Sequence, residues 1–121
     1  MRSERGSVSL VAAAAVAMSL IVAMGVADVA RALVARAHAE RAADLAALAA
    51  AQELALPTGE DPASFAVAYA AANDARLVSC SCAAGSQEAV VSVAVDVGGF
   101  LLPLPDREVV ATARAVVDVP V

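Results

Sequence analysis

Cys80-Ser81-Cys82 is the one place in this chain where reactive side chains stand close together. In an ideal strand two cysteines at that spacing share a face, with Cα atoms about 7 Å apart. That is at or beyond the reach of an unstrained disulfide. Three readings stay open for the pair: buried thiols acting as small hydrophobes, bonds to another chain, and a strained bridge. Two cysteines are too few for a disulfide framework. They are also too few for a zinc site, because His38 is the only histidine and lies far away in sequence. Glu60-Asp61 has the look of a carboxylate dyad, but Asp61 followed by Pro62 has the form of a helix N-cap with proline at the first helical position. His38 reads as an exposed polar residue. A single histidine excludes most general-base arrangements, and Gly98-Gly99 alone is no phosphate loop. No catalytic residue, cofactor or metal is expected, and the chain reads as a non-enzyme.

The elements that carry these residues follow from composition and periodicity. The chain has 121 residues, room for one small domain. Sixty-one per cent of residues are hydrophobic, yet the aromatics are only Phe65, Tyr69 and Phe100. Alanine and valine make up most of the apolar content, and every basic side chain apart from His38 is arginine. Residues 45–121 set three arginines against nine acids. Such an acidic segment lacks the clustered cations that phosphate binding needs, so nucleic acid is not an expected partner; its ordinary meaning is a solvated face.

Val8–Ala27 is a run of 20 residues without a charge, bounded by Arg5 and Asp28. At about 1.5 Å per residue it matches a hydrocarbon core of about 30 Å, and a transmembrane helix is expected. Two rivals are a cleaved signal peptide, with small-x-small sites at Ala30-Arg31-Ala32 and Ala37-His38-Ala39, and the core helix of a soluble domain. Arginines lie on both sides of the run, so the positive-inside rule does not by itself orient the span.

Beyond the run, residues 28–56 contain no Pro or Gly and are rich in strong helix formers, so the helix is expected to continue, amphipathic, for a total of about 45–50 residues until Pro57 and Gly59. Leu33, Ala37, Leu45 and Leu48 fall near one stripe. Ala37, Leu45 and Leu48 are the candidate face for a partner helix; packing of this alanine-rich helix on its own domain is the alternative. A short second helix from Pro62 to about Ala72 is expected to turn Phe65 and Tyr69 inward together. Alternation then predicts strands at 76–82, 88–97 and 107–119, with Val78, Cys80 and Cys82 on one face of the first. The result is an α+β fold: a long N-terminal helix, transmembrane and then amphipathic, a short second helix, and a three-stranded antiparallel meander with one face left for helices to cover. The Gly98–Pro105 connection exposes Phe100, Leu101, Leu102 and Leu104, which suit a bilayer surface, a partner or the domain's own core.

The segments Arg5-Gly6-Ser7-Val8, Arg36–Ala51 and Ala71–Cys80 together resemble the small TadE-like proteins of actinobacteria, found beside secretion ATPases and Flp-type pilus-assembly components. The resemblance runs over nearly the whole chain and is most specific at Arg41–Ala51 and Asn73–Cys80. It implies a pseudopilin-like component of a Tad or related envelope machine, pilin-like in outline. It also implies a cytoplasmic tail at 1–7, a span at 8–27 in the plasma membrane, and an extracytoplasmic domain at 28–121. Other apparatus proteins are the implied partners, met through helix–helix packing; no small-molecule substrate is evident. Gly6 matches the family's processing glycine, which would make Ser7 the new N-terminus. The fifth mature residue would then be Val11, where the family carries a glutamate that registers subunits. That departure points to a minor or accessory component. The reading of another class is a soluble binding module or effector, secreted after cleavage near residues 27–39.

Overall fold

The computed structural model describes residues 2–118. Two helices, α1 (Arg2–Ala55) and α2 (Pro62–Ala72), are followed by three strands, β1 (Arg76–Ser81), β2 (Glu88–Val97) and β3 (Arg107–Val116). The strands form an antiparallel meander in the order β1-β2-β3. The α+β arrangement expected from the sequence is therefore the observed one.

α1 is a single helix of 54 residues, about 80 Å long at 1.5 Å per residue. It exceeds the expected length because residues 2–7 are helical as well. Its two halves are built differently. Every residue from Glu4 to Ala23 is exposed, so all but the last few residues of the apolar run stand clear of the domain. This removes the soluble-core rival, in which the same run would be the most enclosed part of the fold. From Ala39 onward the helix buries one stripe, Ala39, Ala42, Ala43, Ala46, Ala47 and Ala50, against the sheet and α2. Arg36 and Glu40 pair at 3.1 Å on its exposed side.

The turn between the helices is held at both ends. Pro57 disfavours helical geometry at Leu56. The buried Glu53 carboxylate then accepts the Thr58 amide at 2.6 Å and the Thr58 hydroxyl at 2.9 Å. Asp61 caps α2 as expected: its backbone is extended, its carboxylate accepts the Ala63 amide at 3.1 Å, and Pro62 follows at the first position. At the far end Asp74 takes a positive φ of 54°, a conformation that short polar side chains tolerate. The Ala75 amide closes the turn on the Ala70 carbonyl at 2.9 Å.

The core is alanine packed on valine. Val91 and Val93 on the central strand are the largest fully buried side chains among the described residues; burial of a valine contributes about 1.5–3 kcal/mol. Ala111, Ala113 and Ala115 of β3 lie beside them, while Thr112 and Arg114 face out. That alternation is the expected one. The expected third strand ended at Val119, which lies outside the described residues.

Two expectations about faces are corrected. α2 buries Pro62, Ala66 and Ala70, while Tyr69 is 47% exposed and Phe65 only half-buried. The inner face of α2 is filled by small residues, and Phe65 and Tyr69 instead line an open hollow with Ala49, Gln52 and Leu56 of α1. In β1 the register shifts between Leu77 and Ser79, opposite Val93 and Ser92. Val78 is the extra residue of a bulge. Leu77 and Cys80 turn to the core and Val78 turns outward, 49% exposed.

Candidate functional site

The most constrained polar cluster sits where the bare half of α1 meets the domain. Asp28 is the first charge after the apolar run and is only 4% exposed. The helix points it at the β2–β3 connection. Its two oxygens accept the amides of Leu101 at 2.7 Å and Leu102 at 2.9 Å. Arg31, one turn on, stands 3.7 Å from the same carboxylate and donates to the Gly99 carbonyl. The connection bends with Gly99 at a φ of 69°, and a Cβ on Gly98 would meet Asp106 Oδ1 at 2.7 Å. Gly99 is favoured by its backbone conformation, while at Gly98 a side chain would only displace the exposed Asp106 carboxylate. Below Asp28, Leu102 packs at Gly25: its Cδ1 lies 3.8 Å from where a Gly25 Cβ would stand.

The cluster ties one segment of the chain to another; it positions no nucleophile or proton donor for a reaction. Among the described residues no three His, Cys, Asp or Glu side chains converge on a metal-sized site. Sequence reasoning treated Asp28 only as the boundary of the apolar run. An acid at that boundary, coupled with a Gly-Gly loop rich in leucine, was the available signal.

Phe100 and Leu102 of the candidate loop are half-buried, and Leu101 and Leu104 are exposed. On α1 the stripe of Ala37, Leu45 and Leu48 is open, with Leu48 60% exposed; the domain uses the opposite, all-alanine stripe for its own core. Gly6 and Ser7 are exposed near the start of α1, in helical conformation.

Cys80 and Cys82 are joined to each other, with Cα atoms 5.4 Å apart. The expectation of about 7 Å assumed an extended pair. β1 ends at Ser81, and the chain turns there enough to bring Cys82 back, buried beneath the sheet edge. His38 is also corrected. It is half-buried, and its Nε2–H donates to the Asn73 carbonyl, tying α1 to the end of α2. Glu60 and Asp61 form no dyad, since Asp61 is engaged in its cap.

A bare apolar half-helix continuous with a half buried on a small antiparallel sheet defines a helix-led α+β chain whose N-terminal half is long and apolar enough to cross a membrane. Residues 6–53 match the family model described as "Putative Flp pilus-assembly TadE/G-like". The match spans almost all of α1 and supports a role related to pilus assembly; the description is one of assembly and names no reaction. No curated protein and no solved structure matches the chain.

Proposed function

We propose that this chain is a membrane-anchored, pseudopilin-like minor or accessory component of a Tad/Flp-type pilus-assembly or secretion apparatus. The observation that carries the reading is the division of α1. Its first half is apolar and uncovered over a length that suits a bilayer, its second half is the backbone of a folded domain, and the family match covers both. In this reading residues 8–27 span the plasma membrane, Gly6–Ser7 is the processing position, and residues 28–121 stand outside. The Cys80–Cys82 bridge suits an oxidising compartment and so favours that orientation. Val11 in place of a registering glutamate favours an accessory role.

The open stripe of Ala37, Leu45 and Leu48 is the surface offered to other apparatus proteins. A photo-crosslinker at Leu48 should capture another envelope component in cells that express the apparatus. Adducts with this chain alone, or none, would overturn that partner assignment.

Release as a secreted module is disfavoured by the domain itself. Cleavage after Ala32 or Ala39 would remove Asp28 and Arg31 and leave the Gly98–Pro105 connection untethered. Cleavage after Ala39 would also remove His38 and a core alanine.

A further inference from the structure

We propose that the Gly98–Pro105 connection is a second membrane contact, a loop that lies in the interfacial layer beside the point where α1 leaves the bilayer. The proposal rests on residues 8–27 being a membrane span. Three features point to lipid as the occupant of this patch.

The first is level. Asp28 marks the end of the apolar run and holds the amides of Leu101 and Leu102. Leu102 reaches Gly25, one helical turn inside the run. Met24, Gly25 and Ala27 are partly covered, while the helix before them is bare. The loop is therefore pinned at the boundary of the span, whichever side the domain occupies.

The second is side-chain chemistry. No charge occurs from Val97 to Pro105, and Leu101 and Leu104 are 46% and 48% exposed. In water that is uncovered leucine surface. At a headgroup boundary it is buried to a depth of about 5–10 Å, as in other interfacial elements.

The third is the backbone. Irregular chain is costly in a poorly hydrated layer because its amides go unpaired. Here each amide N–H from Leu101 to Pro105 is bonded or absent. Leu101 and Leu102 donate to Asp28, Leu104 donates to the Leu102 carbonyl at 2.7 Å, and Pro103 and Pro105 have no N–H.

The chain contains no tryptophan, so one introduced residue is a clean reporter. The full chain carrying Leu104→Trp, Val67→Trp on α2, or Val16→Trp in the middle of the apolar run would be reconstituted in phosphatidylcholine vesicles with bromines at shallow or deep acyl positions. Deep bromines should quench Val16→Trp. Shallow bromines should quench Leu104→Trp several-fold more than Val67→Trp, with blue-shifted emission, and Leu101→Trp should behave as Leu104→Trp does. Quenching of both loop variants no stronger than that of Val67→Trp, with Val16→Trp still quenched, overturns the loop proposal alone and leaves the patch to a protein partner. An unquenched Val16→Trp overturns the span and the loop together.

Discussion

The carboxylate of Asp28 and the amide of Leu101 meet at 2.7 Å, joining positions 73 residues apart in sequence. With the parallel bond to Leu102, one buried acid fixes the longest connection of the sheet to the helix that begins the chain. Hydrogen bonds to a charged group each contribute about 1.5–3 kcal/mol. Asp28→Ala should accordingly speed hydrogen exchange at Leu101 and Leu102 by about ten-fold or more, since each 1.4 kcal/mol is a factor of ten. Exchange at Val91 and Val93, deep in the sheet, should stay slow. Unchanged exchange at Leu101 and Leu102 would show that the clamp does not hold the loop.

The two stripes of α1 make opposite predictions. Ala46 is fully buried, so Ala46→Leu should destabilise the domain by about 1–3 kcal/mol through overpacking. Ala37 is exposed, so Ala37→Leu should change stability by no more than about 0.5 kcal/mol. Urea unfolding of the detergent-solubilised chain, followed by circular dichroism, distinguishes them. Equal effects would mean that the sheet does not sit on the alanine stripe.

Glu53 links stability to pH. The Thr58 amide, donating to its carboxylate, holds the Glu53 carboxyl below its ordinary range; burial opposes this and the Thr58 hydroxyl adds to it. A carboxyl whose folded pKa is depressed stabilises the fold fully above its unfolded pKa. That stabilisation is lost as pH falls through the lower folded value. Glu53→Gln should therefore lower stability at neutral pH and flatten its decline on the acid side. A variant whose acid limb runs parallel to that of the parent would contradict the assignment.

Much of the architecture was legible because it is set locally. The absence of proline from Arg2 to Ala55 allows one uninterrupted helix, Asp61-Pro62 starts the next, and alternation in residues 88–97 and 107–116 specifies two strands and their inner faces. What escaped depends on single-residue geometry or distant contacts. One inserted residue at Val78 takes that side chain off the face of Cys80 and Cys82 and puts Leu77 there instead, and a bulge leaves no mark in a pattern of valine, serine and cysteine. Phe65 and Tyr69 read as core by hydrophobicity, but alanines fill the inner face of α2 and the two rings line an open hollow beside α1. The Asp28 clamp joins two ends of the domain that no local pattern relates, and His38 finds its acceptor 35 residues away.

The cysteine pair closes a very short loop, so its effect on the unfolded chain is small, about 1.6 kcal/mol by loop entropy. The protein purified without reductant should resist alkylation at both Cys80 and Cys82, and Cys80→Ser should leave the domain folded with a modest loss of stability. Ready alkylation of both thiols in unreduced protein would show that the bridge is absent.

The central claim, that α1 keeps its apolar half as a membrane anchor for the domain it also builds, is tested most directly by the intact mass and N-terminal sequence of the protein from fractionated native cells. A membrane-bound species beginning at Met1 or Ser7 is the predicted result, with Ser7 specifically indicating prepilin-type processing. A soluble extracellular species beginning after Ala27 would contradict it and make the chain a secreted module.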